Sequence, residues 1–211
     1  MSSTARSRIA TPPARLVHVL LAVAGIVAIG WNLHDTLDRP DGDVVNFFSF
    51  FTIQSNLFAA AVWLWVAARP SPSPLQDRLR GAATLFLLIT GIIYAVLLSG
   101  ETSDTAAWIN DIEHRILPVA ILVDWLVVAP ASPVRAVSAL WWLLYPLAFF
   151  AYSLVRGAIV DWYPYPFMSP LVHPYGTVVL TAAILAVLMG LLAALVAALG
   201  SLRSPGRTAA A

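Results

Sequence analysis

Three polar groups lie inside runs that are otherwise apolar, and they are the residues able to do chemistry. In Asn46-Phe-Phe-Ser-Phe-Phe-Thr-Ile-Gln-Ser-Asn56, the residues Ser49, Thr52 and Asn56 stand at i, i+3 and i+7, one face of a helix. Small polar side chains of this kind can simply knit helices together. Alternatively, Thr52 is a nucleophile or a substrate-orienting hydroxyl. In Asn110-Asp-Ile-Glu-His-Arg-Ile-Leu-Pro118, Asp111, His114 and Pro118 again share a face. A histidine there can act as a general base, because its ordinary pKa lies near neutrality; otherwise the group is an interfacial cluster binding water and headgroups. Tyr145, Phe149, Tyr152 and Arg156 form an aromatic stripe ending in a cation. It is either packing with a snorkelling arginine or a fork for a carboxylate.

The elements that position these groups follow from composition. Of 211 residues 60% are hydrophobic and only 11% charged, against about 25% charged in a soluble domain. The mean hydropathy is +0.81. A chain this short cannot hide so much apolar side chain in one aqueous core. Six stretches approach the roughly 20 residues needed to span a bilayer: Leu16–His34, Val44–Ala67, Leu79–Ser99, Ala107–Ala129, Val137–Ile159 and Tyr175–Gly200. A β-barrel would show shorter, alternating segments. The expected fold is therefore all-α, a polytopic integral membrane protein with a bundle of six transmembrane helices. One domain over 16–200 is expected between tails 1–15 and 201–211.

Arginine asymmetry sets the expected orientation. Arg6, Arg8, Arg15, Arg69, Arg78, Arg80, Arg135, Arg203 and Arg207 fall on one side, and most of the acidic residues fall on the other. Both termini are then cytoplasmic, in a bacterial inner or plasma membrane. At 1.5 Å per residue, Thr52 lies about 12 Å, His114 about 10 Å and Arg156 about 6 Å below the outer surface. Three polar groups on three helices thus reach similar depth, which points to one buried site. Asp124, nearer the cytoplasmic face, is expected to pair with an inner arginine or cap the backbone.

Other chemistries are excluded or unsupported. There is no cysteine and no lysine, so thiolate and Schiff-base chemistry are absent. The net charge of +1 offers nothing to nucleic acid. No HxxxH, HExxH or GxSxG spacing occurs, so neither a metal, a cofactor nor a nucleophile elbow is expected. Tyr163-Pro-Tyr-Pro-Phe167 and the eight tryptophans suit an interfacial aromatic belt.

Taken in order, Phe47 to Asn56, His114-Arg-Ile-Leu-Pro118 with Asp124-Trp125, Tyr145-Pro146, Tyr152-Ser-Leu-Val-Arg-Gly157 and Tyr163 to Phe167 resemble bacterial six-helix relatives of the androgen-induced-gene family of membrane hydrolases. The resemblance covers about residues 16–200. It implies a metal-free intramembrane hydrolase of fatty acyl esters, such as fatty acid esters of hydroxy fatty acids, with Thr52 as nucleophile and His114 as its histidine. Beside that pair, the spacing offers Asn56, Arg156 or Tyr152 as oxyanion stabiliser, Asp111 or Asn110 as the group orienting the imidazole, and Ser49 as a supporting hydroxyl. A lipid substrate would enter sideways from the outer leaflet. The competing reading is a lipid-binding protein or small transporter using the same pocket without covalent chemistry.

Overall fold

The computed structural model describes residues 11–69, 71, 73–100, 104–131 and 133–204. Arg6, Arg8, Glu101 and Arg207, and most of both expected tails, lie outside the described residues. Among those described there is no strand. The chain runs through α1 (Pro12–Leu37), α2 (Val44–Phe48), α3 (Phe51–Ala68), α4 (Pro74–Ile93, continued by a π turn over Tyr94–Leu98) and α5 (Ala107–Asp111, continued by a π turn over Ile112–Ile116). It ends with α6 (Leu117–Val127), α7 (Ala136–Ala139, continued by a 3-10 turn over Leu140–Leu143), α8 (Leu144–Val160), a 3-10 turn Pro166–Met168 and α9 (Tyr175–Arg203). Five helical stretches are long and apolar enough to cross a membrane. The expected fourth span, α5 through the π turn to α6, is long enough but is not among them, because it carries Asp111, Glu113, Arg115 and Asp124.

Helix α1 begins at Pro12, inside the expected tail, because proline is pre-set for a first helical turn. It buries His18, Ala22, Gly25, Ile29, Asn32 and Thr36, a stripe at alternating spacings of four and three. Small residues on that stripe let backbones approach closely. A Cβ added at Gly25 would meet Leu117 Cδ1 at 3.1 Å. Helices α1, α3, α4 and α6 pack successively against one another, while α8 and α9 flank them. Much of the outer surface is apolar: Val155, Ile159, Val179, Val187 and Leu191 are all more than 60% exposed. Patches of this extent are foreign to a water-soluble monomer and natural against lipid.

Two spans depart from the continuous helices expected. The second breaks at Ser49–Phe50, with Ser49 ending α2 and Phe50 extended ahead of α3. Side chains absorb the break. The Gln54 amide donates to Phe48 O at 2.7 Å, and the Ser49 hydroxyl to Val45 O at 2.7 Å. In the fourth span, Pro118 has no N–H to give to the carbonyl four residues back. Leu117 N–H instead bonds Ile112 O, five residues back.

Toward the end expected to be cytoplasmic, Asp124 lies between His18 and Arg80. His18 Nε2 is 2.8 Å from its Oδ1, and Arg80 Nη2 is 3.2 Å from its Oδ2. Arg80, only 2% exposed, also donates to Val128 O at 2.8 Å and lies over the Trp125 ring. Asp77 Oδ2 accepts from Ala131 N–H at 2.8 Å. Asp124 thus pairs with an inner arginine, as its position suggested, and this network fastens α1, α4 and α6 together.

A threonine and histidine where a polar chamber meets an apolar crevice

The break before α3 decides where Thr52 stands. As the second residue of a new helix, it lies in a first turn whose amides lack intrahelical acceptors. Its Oγ1 is 3.2 Å from His114 Nε2. The other ring nitrogen, Nδ1, is 3.2 Å from Asn110 O. A carbonyl only accepts, so Nδ1 carries the hydrogen there. In the neutral imidazole, Nε2 is then the acceptor facing the threonine hydroxyl. The Tyr94 ring stacks on His114 at 4.2 Å, nearly parallel, and fixes the plane of the imidazole.

Tyr165 completes the first shell around Thr52. Its hydroxyl accepts the Thr52 N–H at 3.2 Å and lies 3.4 Å from Thr52 Oγ1. The phenol comes from the loop after α8, whose course two features set. Asp161 takes a left-handed conformation (φ 52°) that turns the chain off the helix end. Gly157 lets the Tyr163 ring lie where a Cβ would come within 2.2 Å. Burial pushes the Tyr165 phenol above its ordinary pKa, so at neutral pH it remains an O–H able to donate. Aromatic belt chemistry was the sequence expectation for this segment, and nothing local distinguishes Tyr165 from Tyr163.

The remaining expected site residues separate into those near the pair and those committed elsewhere. Asn110 orients the imidazole through its backbone carbonyl; its side chain donates to Thr105 O at 3.3 Å. Asp111 does not take that role, because it pairs with Arg115 one turn along. Asn56 is fully buried, and its amide donates to Thr52 O at 2.9 Å and Glu113 O at 3.3 Å, so it braces α3 against the His114 turn instead of serving an oxyanion. Ser49 and Tyr152 face each other across 3.1 Å. Arg156 donates to Asn46 Oδ1 at 2.7 Å and lies over the Trp162 ring. The hydroxyl that stands against Thr52 is therefore that of Tyr165, which the spacing did not offer.

Two cavities meet at Thr52. The larger, about 430 Å³, is polar and is lined by Asn32, Arg39, Asp43, Thr52, Glu113 and His114 among others. The second is a narrow apolar crevice between α3, α4, α8 and α9, lined by Phe51, Ile89, Phe149, Met168, Leu185 and Met189. Thr52, Leu98 and Tyr165 line both. Among the described residues no group of three or more metal-ligating side chains converges. Searches against protein-family models, curated proteins and solved structures find no match for the chain.

Removing the phenolic hydroxyl has a defined expectation. If the Thr52–His114 pair cleaves an acyl ester with the Tyr165 O–H donating to the oxyanion, Tyr165→Phe should lower kcat by about 100-fold, the size of effect seen when one oxyanion donor is lost. KM should change much less. Steady-state kinetics on the purified, folded variant check this. An equal rise in KM with kcat intact would assign Tyr165 to substrate binding alone.

Proposed function

We propose that the chain is an intramembrane carboxylic ester hydrolase that cleaves fatty acyl esters with Thr52 as nucleophile and His114 as general base. The observation that carries this reading is the 3.2 Å contact between the Thr52 hydroxyl and an imidazole nitrogen whose opposite nitrogen is held by Asn110 O. A threonine hydroxyl is a weak nucleophile until a base takes its proton. His114 Nε2 accepts that proton as Thr52 Oγ1 bonds to the ester carbonyl carbon. The carbonyl π electrons move onto oxygen, where the Tyr165 O–H can donate. Collapse breaks the bond to the alcohol oxygen, which leaves with the proton from His114. Water then repeats the sequence on the acyl-threonine, releases the fatty acid and restores the hydroxyl. No metal or cofactor enters the scheme. The resemblance to the androgen-induced-gene hydrolases supports the same residue pair.

Labelling with a fluorophosphonate probe tests the nucleophile directly. The purified wild-type chain should label and Thr52→Ala should not; a wild-type chain that neither labels nor hydrolyses esters returns the chamber to a lipid-binding or transport role.

The site opens outward if both termini are cytoplasmic, as the arginine asymmetry indicates. Single cysteines at Asp41 and Asp104 should then react with a membrane-impermeant thiol reagent on intact cells, and one at Ser73 should not. The reverse pattern would place the chamber on the cytoplasmic side.

A further inference from the structure

The two cavities at Thr52 differ in charge as well as polarity, and that difference bears on which alcohol the ester carries. The crevice is lined mostly by apolar side chains, the surface that an acyl chain would meet. The chamber must then hold the leaving alcohol. Its wall carries four carboxyl groups, those of Asp41, Asp43, Asp104 and Glu113, against one guanidinium, Arg39. That guanidinium is already engaged with Asp104 at 3.3 Å and with the Thr36 hydroxyl at 2.8 Å. Two further arginines stand near among the described residues, and neither lines the chamber: Arg156 is engaged by Asn46 and Trp162, and Arg115 by Asp111 and the Tyr94 ring. Asp41 and Asp43 are exposed at the mouth.

Glu113 provides the independent observation. It lies beside His114 in the chain, is 1% exposed and lines the chamber. Asn32 hydrogen-bonds its carboxyl, yet Oε1 has no partner among the described residues. A buried carboxyl oxygen without a partner is costly unless something donates to it. Glu113 lines the chamber, so an O–H or N–H donor on what binds there is one way to satisfy that oxygen.

Resting on the hydrolase reading above, we propose that the chamber selects esters whose alcohol part is rich in hydrogen-bond donors and carries no anion, such as glycerol or an amino alcohol, with Glu113 Oε1 as acceptor. Three mouth aspartates repel a carboxylate or phosphate on the alcohol. This departs from the hydroxy-acid esters that the resemblance implies.

Non-hydrolysable ethers separate this proposal from the catalytic one, since binding needs no chemistry. The purified full chain in detergent would be titrated with hexadecyl glycerol ether, hexadecyl ethanolamine ether and a hexadecyl ether of a hydroxy acid. The two donor-rich ethers should bind about 10-fold or more tighter than the carboxylated one at low salt, and the gap should narrow as salt screens the mouth. The glycerol and ethanolamine arms tell a neutral polyol from a cation. Asp41→Asn with Asp43→Asn should gain affinity for the carboxylated ether, a gain that structural damage does not produce; asparagine at 43 keeps the helix cap. Glu113→Gln should weaken the donor-rich ethers. Equal or tighter binding of the carboxylated ether to the wild type, or no gain in the aspartate variant, overturns the proposal. If the ethers rank as stated but no ester is cleaved, the selectivity stands and the hydrolase reading falls.

Discussion

Thr52→Ala and His114→Ala should each lower kcat/KM for an acyl ester by about 10⁴-fold or more, and the double variant should be no slower than the slower single one. Members of a nucleophile–base pair fail together and their losses do not add. Thr52→Ser should keep measurable activity, because the hydroxyl survives and only a methyl is lost. The wild-type rate should fall on acidification, since a protonated imidazole has no lone pair for the hydroxyl proton. Each variant would be assayed beside its thermal unfolding curve in detergent. Full activity in a folded Thr52→Ala chain rejects the nucleophile. A double variant far slower than both singles shows that the residues do not act as a unit.

The second large effect is on stability and lies far from the chamber. Asp124→Ala takes from the Arg80 guanidinium, 2% exposed, the nearer of its two carboxylates, leaving only Asp77 at 3.7 Å, and removes the partner of His18. Breaking a buried pair from one side costs about 3–5 kcal/mol. The variant should melt well below the wild type, and Asp124→Asn, which keeps a hydrogen-bonding oxygen, should lose less. Replacing both Asp124 and Arg80 by leucine should not recover that loss, because Asp77, 4% exposed, then loses the guanidinium 3.7 Å away. Asp124 does not line the chamber. Samples of Asp124→Asn that fold should therefore cleave esters at close to the wild-type rate. A folded Asp124→Asn chain with lost activity would instead mark the network as a proton path.

The helical, membrane-spanning character was legible because composition and run length decide it. The meeting of Thr52 and His114 followed from matched depth on two helices, an argument that holds because the rise per residue is fixed. What escaped the sequence has physical reasons. The break at Ser49–Phe50 contains neither proline nor glycine, and the side chains that satisfy it, Ser49 and Gln54, are unremarkable in a helix. Asp111 offered a plausible orienting carboxylate, yet a backbone carbonyl one residue earlier does the work, and backbone groups leave no mark in sequence. Tyr165 reaches Thr52 across 113 positions of chain, through a loop whose course depends on a close approach at Gly157. Glu113 looked like a headgroup contact beside an ionisable neighbour; only the packing of α1, through Asn32, reveals that it is enclosed.

The π turn over Ile112–Ile116 bears on how such a site arises and how it can be lost. A π turn accommodates one residue more than the α turn it replaces. Excising a single residue there would let a regular helix close, and the segment ahead of the cut would rotate by about 100° relative to α6. His114 and the Asn110 carbonyl that holds its ring would swing away from Thr52 together, while every apolar contact of α6 stayed in place. The alignment of the pair thus depends on the one extra residue that the π turn accommodates.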